Sequence, residues 1–299
     1  MSRRPLGLVM LLSCAIATPL SLGAITPATA PLSRTLYVTV TDKEGKAVPG
    51  LTPKDFTVKD GGKEREITSV QLPAGRMKLA ILIEEALSPD TAVRQGILDF
   101  GRRLLPIADV SIVAAGIKNT MAVDFTTDVN KLVEGLNSLT LLNGRMGSHM
   151  AEGIMDLARD FQKSKPERPV IVAVALEIDQ ESADRPDMVL NELRLSRAMM
   201  NVVGVTMPDQ AKPSLSNLAD QSERSKVIGE GPRQSGGTRV DVVSSRGIPS
   251  ALMQVAGALE AQYAITYVLP EGTKPSDRIS VSTSRKNVNM TAPSRVNDK

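Results

Sequence analysis

The 299-residue chain predicts a three-layer α/β fold, with helices on both faces of a mostly parallel sheet, and three observations carry that expectation. From Lys78 onward, continuous apolar runs such as Leu79 to Ile83 alternate with stretches of helical periodicity, as strands buried on both faces do. Helix-start chemistry stands directly behind the first of these runs, in Ser88-Pro89-Asp90: a capping hydroxyl, a proline for the first helical position, and an acid for the positive end of the dipole. The hydrophobic fraction of 41% suits an ordinary globular core, and 2% aromatics with no Trp require that core to be aliphatic.

Taken in order, the chain opens with Arg3-Arg4, the apolar run Leu6 to Leu12 and small residues up to Ala30, which reads as a signal peptide over residues 1–30. Pro19 and Pro27 interrupt the pattern, and the run is shorter than the ~20 residues a spanning helix needs, so no transmembrane span is expected in the mature chain. Export to the periplasm or beyond follows. Cys14 is the only cysteine, within a weak lipoprotein-like box, so the mature chain has no disulfide and no thiolate chemistry. The formal charge of +3 includes Arg3 and Arg4, and with so few aromatics to stack on bases the sequence makes no case for nucleic acid.

A small β element is expected over residues 31–75. Leu36, Val38 and Val40 alternate with polar residues, Phe56-Thr57-Val58 forms a second short strand, and Asp60-Gly61-Gly62 turns it toward Glu66 to Val70. Three such strands bury too little to stand alone. The α/β domain is expected over 76–269. After the strand Leu79 to Ile83, a helix buries Val93, Ile97, Phe100 and Leu104; Asp109 to Ala115 and Met121 to Phe125 form an antiparallel hairpin. Helices follow near Val129 to Leu136, Met150 to Phe161, Met188 to Met199 and Ile248 to Gln262, with strands at Val170 to Leu176, Asn201 to Val205 and Arg239 to Val243. Lys212 to Gly237 reads as loop around at most one short helix near Leu215 to Gln221, and Tyr263 to Leu269 as the closing strand. In the tail, 270–299, Arg278 to Thr283 alternates like a strand and is expected to pair with Leu36 to Val40 and Phe56 to Val58.

This order of elements resembles the Rossmann-like von Willebrand factor A domain. Three segments narrow the resemblance to the VWFA-related subfamily described from Acidobacteria: Asp42 to Gly61, similar to its leading element; Gln234-Ser235-Gly236-Gly237-Thr238-Arg239, similar to its late glycine pair; and Leu259 to Tyr267, similar to its final helix-to-strand junction. The resemblance implies a metal-ion-dependent adhesion site, with an Asp-x-Ser-x-Ser loop, a Thr from a second loop and an Asp from a third. Here the first loop falls on Glu84-Glu85-Ala86-Leu87-Ser88, the Thr position on Ser148, and the last acid on Leu176, with Glu177 and Asp179 just beyond. A longer acid, a lost hydroxyl and a displaced carboxylate all work against octahedral magnesium ligation.

The resemblance therefore implies a degenerate site. Glu84, Ser88 and Ser148 are its metal candidates, and these three with Glu177 are the expected partner-binding residues. No cofactor is expected, or at most weakly bound Mg2+ or Mn2+. The expected activity is recognition of a protein or cell-surface ligand, as in cell adhesion, rather than catalysis. A structural module binding through another face is the alternative. A hydrolase is the least favoured reading, because the one histidine, His149, adjoins Ser148 in a loop where neighbours rarely face each other, and no phosphate-cradling loop is present.

Overall fold

The computed structural model describes residues 32–88, 90–139, 149–176, 185–206 and 218–296. The expectations for residues 1–30, Cys14, Ser148, Glu177 and Asp179 lie outside those residues.

The central sheet has six strands in the order β10 (Arg239–Val242), β9 (Met199–Val205), β8 (Arg168–Leu176), β5 (Met77–Glu84), β6 (Ala108–Ala115) and β7 (Thr120–Thr126). Five are parallel, and β7 returns antiparallel to β6 as a hairpin. All nine residues of β8 are buried, because helices cover both of its faces. On one face, α1 (Thr91–Leu104), α2 (Val129–Ser138) and α6 (Ile248–Glu260) pack Val93, Ile97, Leu132, Leu252 and Val255 against Leu79, Ile81 and Ile83. On the other, α3 (Met150–Ser164), α4 (Pro186–Ser196) and α5 (Leu218–Ser235) pack Ile154, Leu193 and Val227 against Ala80 and Leu82. The mixed α/β class is the expected one.

Two smaller sheets adjoin this layer. One runs β13 (Val288–Thr291), β1 (Leu32–Asp42), β11 (Gln262–Leu269), β4 (Ile67–Gln71), and the other β12 (Ile279–Thr283), β2 (Phe56–Asp60), β3 (Lys63–Arg65). They share a core around Leu36, Val38, Phe56, Val58, Ile265 and Tyr267. At its centre the buried Asp60 carboxylate accepts from Arg34 Nη1 at 2.6 Å, Tyr267 OH at 2.8 Å and the Ser276 N–H at 2.9 Å, so four separate chain segments meet on one side chain.

Four details differ from the sequence expectation. Tyr263 to Leu269 does not close the central sheet; β11 pairs antiparallel with β1 from Leu32↔Leu269 to Thr39↔Gln262, and an apolar strand reads alike locally whichever sheet takes it. The tail strand β12 pairs with β2, while the neighbour of β1 is β13, through Thr39↔Thr291 to Asp42↔Val288. The Gly61-Gly62 turn, φ 59° and 80°, leads into the short strand β3 before the chain crosses to β4. Finally, α5 is an 18-residue helix containing Pro232, where loop was expected. A Cβ at Gly231 would lie within 2.4 Å of Met200 Sδ, so the glycine that lowers helix propensity is what lets α5 approach β9.

Candidate functional site

In the central sheet the strand order reverses at β5, whose neighbours β8 and β6 lie on either side, and loops at the carboxyl ends of such strands diverge to leave a crevice. Glu84 ends β5 at this crevice. Its side chain is 1% exposed, and Oε2 accepts the Leu176 N–H at 2.5 Å, joining the ends of β5 and β8. The carboxylate thus lies along the sheet, bonded to the adjacent strand.

Ser88 follows a single 3-10 turn, Glu85–Leu87, and is fully buried. Its Oγ donates to the Glu85 carbonyl at 2.7 Å, with the Leu139 carbonyl at 3.4 Å, and its own carbonyl accepts from Arg94 Nη1 at 2.8 Å. The expectation that Ser88 caps the following helix is corrected. Asp90 is the cap, accepting from the Ala92 and Val93 N–H groups, because its shorter reach to the open donors of α1 leaves the hydroxyl to the preceding turn.

The rest of the described rim comes from β6 and α3. Gly116 follows β6, and a Cβ there would fall 1.8 Å from Glu85 Oε2, so Glu85 folds back over the strand end. The His149 N–H donates to the Gly116 carbonyl at 3.1 Å, which ties the start of α3 to β6. The His149 ring, 39% exposed, places Nδ1 3.2 Å from Glu152 Oε1. Gly116, His149 and Glu152 were not among the expected site residues; the signal available was a glycine directly behind an apolar strand. Ser148 and Glu177, the other half of the expected set, lie outside the described residues. Among the described residues, no three His, Cys, Asp or Glu side chains are grouped to share a metal ion.

A β-α-β-β-α-α-β-α-β-α-β-α order with this strand sequence defines the architecture. It is the three-layer, Rossmann-like α/β architecture that the sequence predicts. No family model and no curated protein matches the chain. Among solved structures, it is similar to the conserved hypothetical protein BatB from Bacteroides thetaiotaomicron, at 14% identity and TM-score 0.44, over 62% of this chain and 100% of that one. The vWF domain of the type V pili tip protein Mfa5 from Porphyromonas gingivalis is similar at 9% identity and TM-score 0.45, over 63% of this chain and 96% of that one. Proximal thread matrix protein 1 from the mussel byssus, with a zinc-occupied MIDAS motif, is similar at 10% identity and TM-score 0.44, over 61% of this chain and 47% of that one.

Proposed function

We propose that this chain is an exported recognition module of the VWFA-related type, which binds a protein or surface ligand through the rim of the central sheet without a catalytic step and without a cation. One observation carries the cation-free reading: the Glu84 carboxylate is buried and bonded to the Leu176 N–H. Ser88 likewise turns its hydroxyl onto the Glu85 carbonyl. Ala86 offers no oxygen where the resemblance implies a hydroxyl, and the Glu84 carboxylate and Ser88 hydroxyl are each already held by a backbone group, so these residues make a poor octahedral set. Ile117, 62% exposed directly behind Gly116, offers the rim an apolar contact. Export rests on the leader-like residues 1–30, and among the described residues no helix is long and apolar enough to cross a membrane.

Thermal unfolding of the full chain with millimolar Mg2+ or Mn2+, against EDTA, tests the cation-free reading. A native-state ligand at a thousandfold excess over its Kd would add about 4 kcal/mol. An unchanged Tm is expected; a cation-dependent rise, lost in Glu84→Ala, overturns it. Retention on envelope material that survives EDTA and falls in Ile117→Asp is the expected signature of rim recognition.

A further inference from the structure

At the opposite end of the central sheet, where β8 and β9 begin, a cleft of about 980 Å³ opens between that sheet end, the C-termini of α3 and α4, and β1. The nine residues of β8 put it roughly 26 Å from the Glu84 rim. Its lining holds six basic residues, Arg34, Lys165, Arg168, Arg194, Arg197 and Arg295, and one acid, Glu167. Asp60 and Asp277 neutralise Arg34 and Arg295, each at 2.6 Å. Of the others, Lys165 is exposed and Arg194 half-buried, so both stand where a ligand in the cleft could reach them. Even with Arg34 and Arg295 paired, basic residues outnumber acids in the described lining, which makes the cleft electropositive.

The helix ends are built in an unusual way. Lys165 and Arg197 close α3 and α4 in the left-handed region, φ 46° and 58°, where glycine is the residue without a steric penalty. Cations at helix C-termini do complement the dipoles. That role does not reach Arg168, which begins a strand, donates to the Gly75 carbonyl and to Gln262 Oε1, and stacks 5.4 Å from the Tyr37 ring.

One wall of the cleft is an open strand edge. β1 pairs with β11 from Leu32 to Thr39, whereas β13 on its other side joins only from Thr39 onward. Among the described residues, no strand covers Leu32 to Val38 on that side. The Val40 N–H donates toward Ala261 on the β11 side, so alternation turns the backbone groups of Ser33, Thr35 and Tyr37 to the open side. Arg197 confirms the direction, donating Nη2 to the Thr35 carbonyl at 3.3 Å.

We propose that this cleft binds an extended acidic peptide segment of a partner protein, added as a strand along the open edge of β1, with its carboxylates held by Lys165 and Arg194. Strand addition supplies backbone bonds, and the cations supply selectivity for acidic side chains. This site is separate from the rim proposed above and stands or falls without it.

The test uses the full chain and a fluorescein-labelled peptide of about seven residues alternating Glu and Val, followed by anisotropy at low and raised salt. Binding is expected, weakening with salt and by about tenfold in Lys165→Gly/Arg194→Gln. Ser33→Pro, which removes a donor from the open side, is expected to weaken it as well. Lys165→Gly relieves a left-handed residue, so an unchanged or raised Tm shows that the variant is folded. The proposal is overturned by no binding to the full chain, by unchanged affinity in the folded double variant, or by equal binding of a peptide with Pro in place of every Val.

Discussion

The central α/β layer and the terminal β layers solve the same problem, burial of a sheet, by different means. The six-stranded sheet covers both faces with helices and fills its interior with Val, Ile, Leu and Ala, and its buried carboxylate, Glu84, sits at the end of a strand. The four- and three-stranded sheets share one small core, and they place the Arg34–Asp60 ion pair in the middle of it. Dispersion and apolar burial suffice where area is large. Where strands are few and short, a polar hub fixes which segments meet.

That contrast predicts unequal responses to losing one carboxylate. Asp60→Ala strands Arg34 in the interior and should cost about 3–5 kcal/mol in denaturant unfolding. The double variant Arg34→Met/Asp60→Leu should recover most of that loss, and failure to recover would show that the hub does more than pair charges. In the central layer, Glu84→Ala removes one charge-assisted bond to Leu176, for an expected loss of roughly 1.5–3 kcal/mol. Gly237→Ala probes where the layers meet. A Cβ there would lie 1.9 Å from the Met200 carbonyl, and overpacking of this kind costs about 1–3 kcal/mol.

The smallest effect concerns alkaline pH. Burial first, then the charge of Glu167, pushes the Tyr37 hydroxyl up to about 12, and burial together with Asp60 raises Tyr267 further. Both phenols stay protonated in the fold at pH values where the unfolded chain ionises. Stability should therefore hold below pH 10 and fall as pH rises through and beyond it, with tyrosinate absorbance appearing together with unfolding. Tyrosinate signal from all three tyrosines at their ordinary pKa in a folded chain would contradict this.

The central layer was legible in the sequence because its code is local. Leu79 to Ile83 is apolar throughout because both faces are covered, and the Val93, Ile97, Phe100, Leu104 stripe marks one buried helix face. The terminal layers were only half legible. Lys63-Glu64-Arg65 has no apolar residue to mark β3, and the preference of β11 for β1 over the central sheet depends on a strand more than two hundred positions away. The glycines of α5 read as breakers until Met200 gives Gly231 a reason. At the rim, Glu84 was recognisable as an acid ending a strand, but the direction of its carboxylate is set by Leu176. The basic cleft left no sequence signature, since Lys165, Arg168, Arg194 and the β1 edge come from different elements.

The pairing of β1 with β11 and β13 has a mechanical consequence. Everything from β5 to α6 lies between β4 and β11, so the α/β layer hangs as a long insertion from a sheet through which the backbone both enters and leaves. A pull applied between Leu32 and Thr291 would load the ladders of that outer sheet first and leave the inserted layer slack, shielding it from tension.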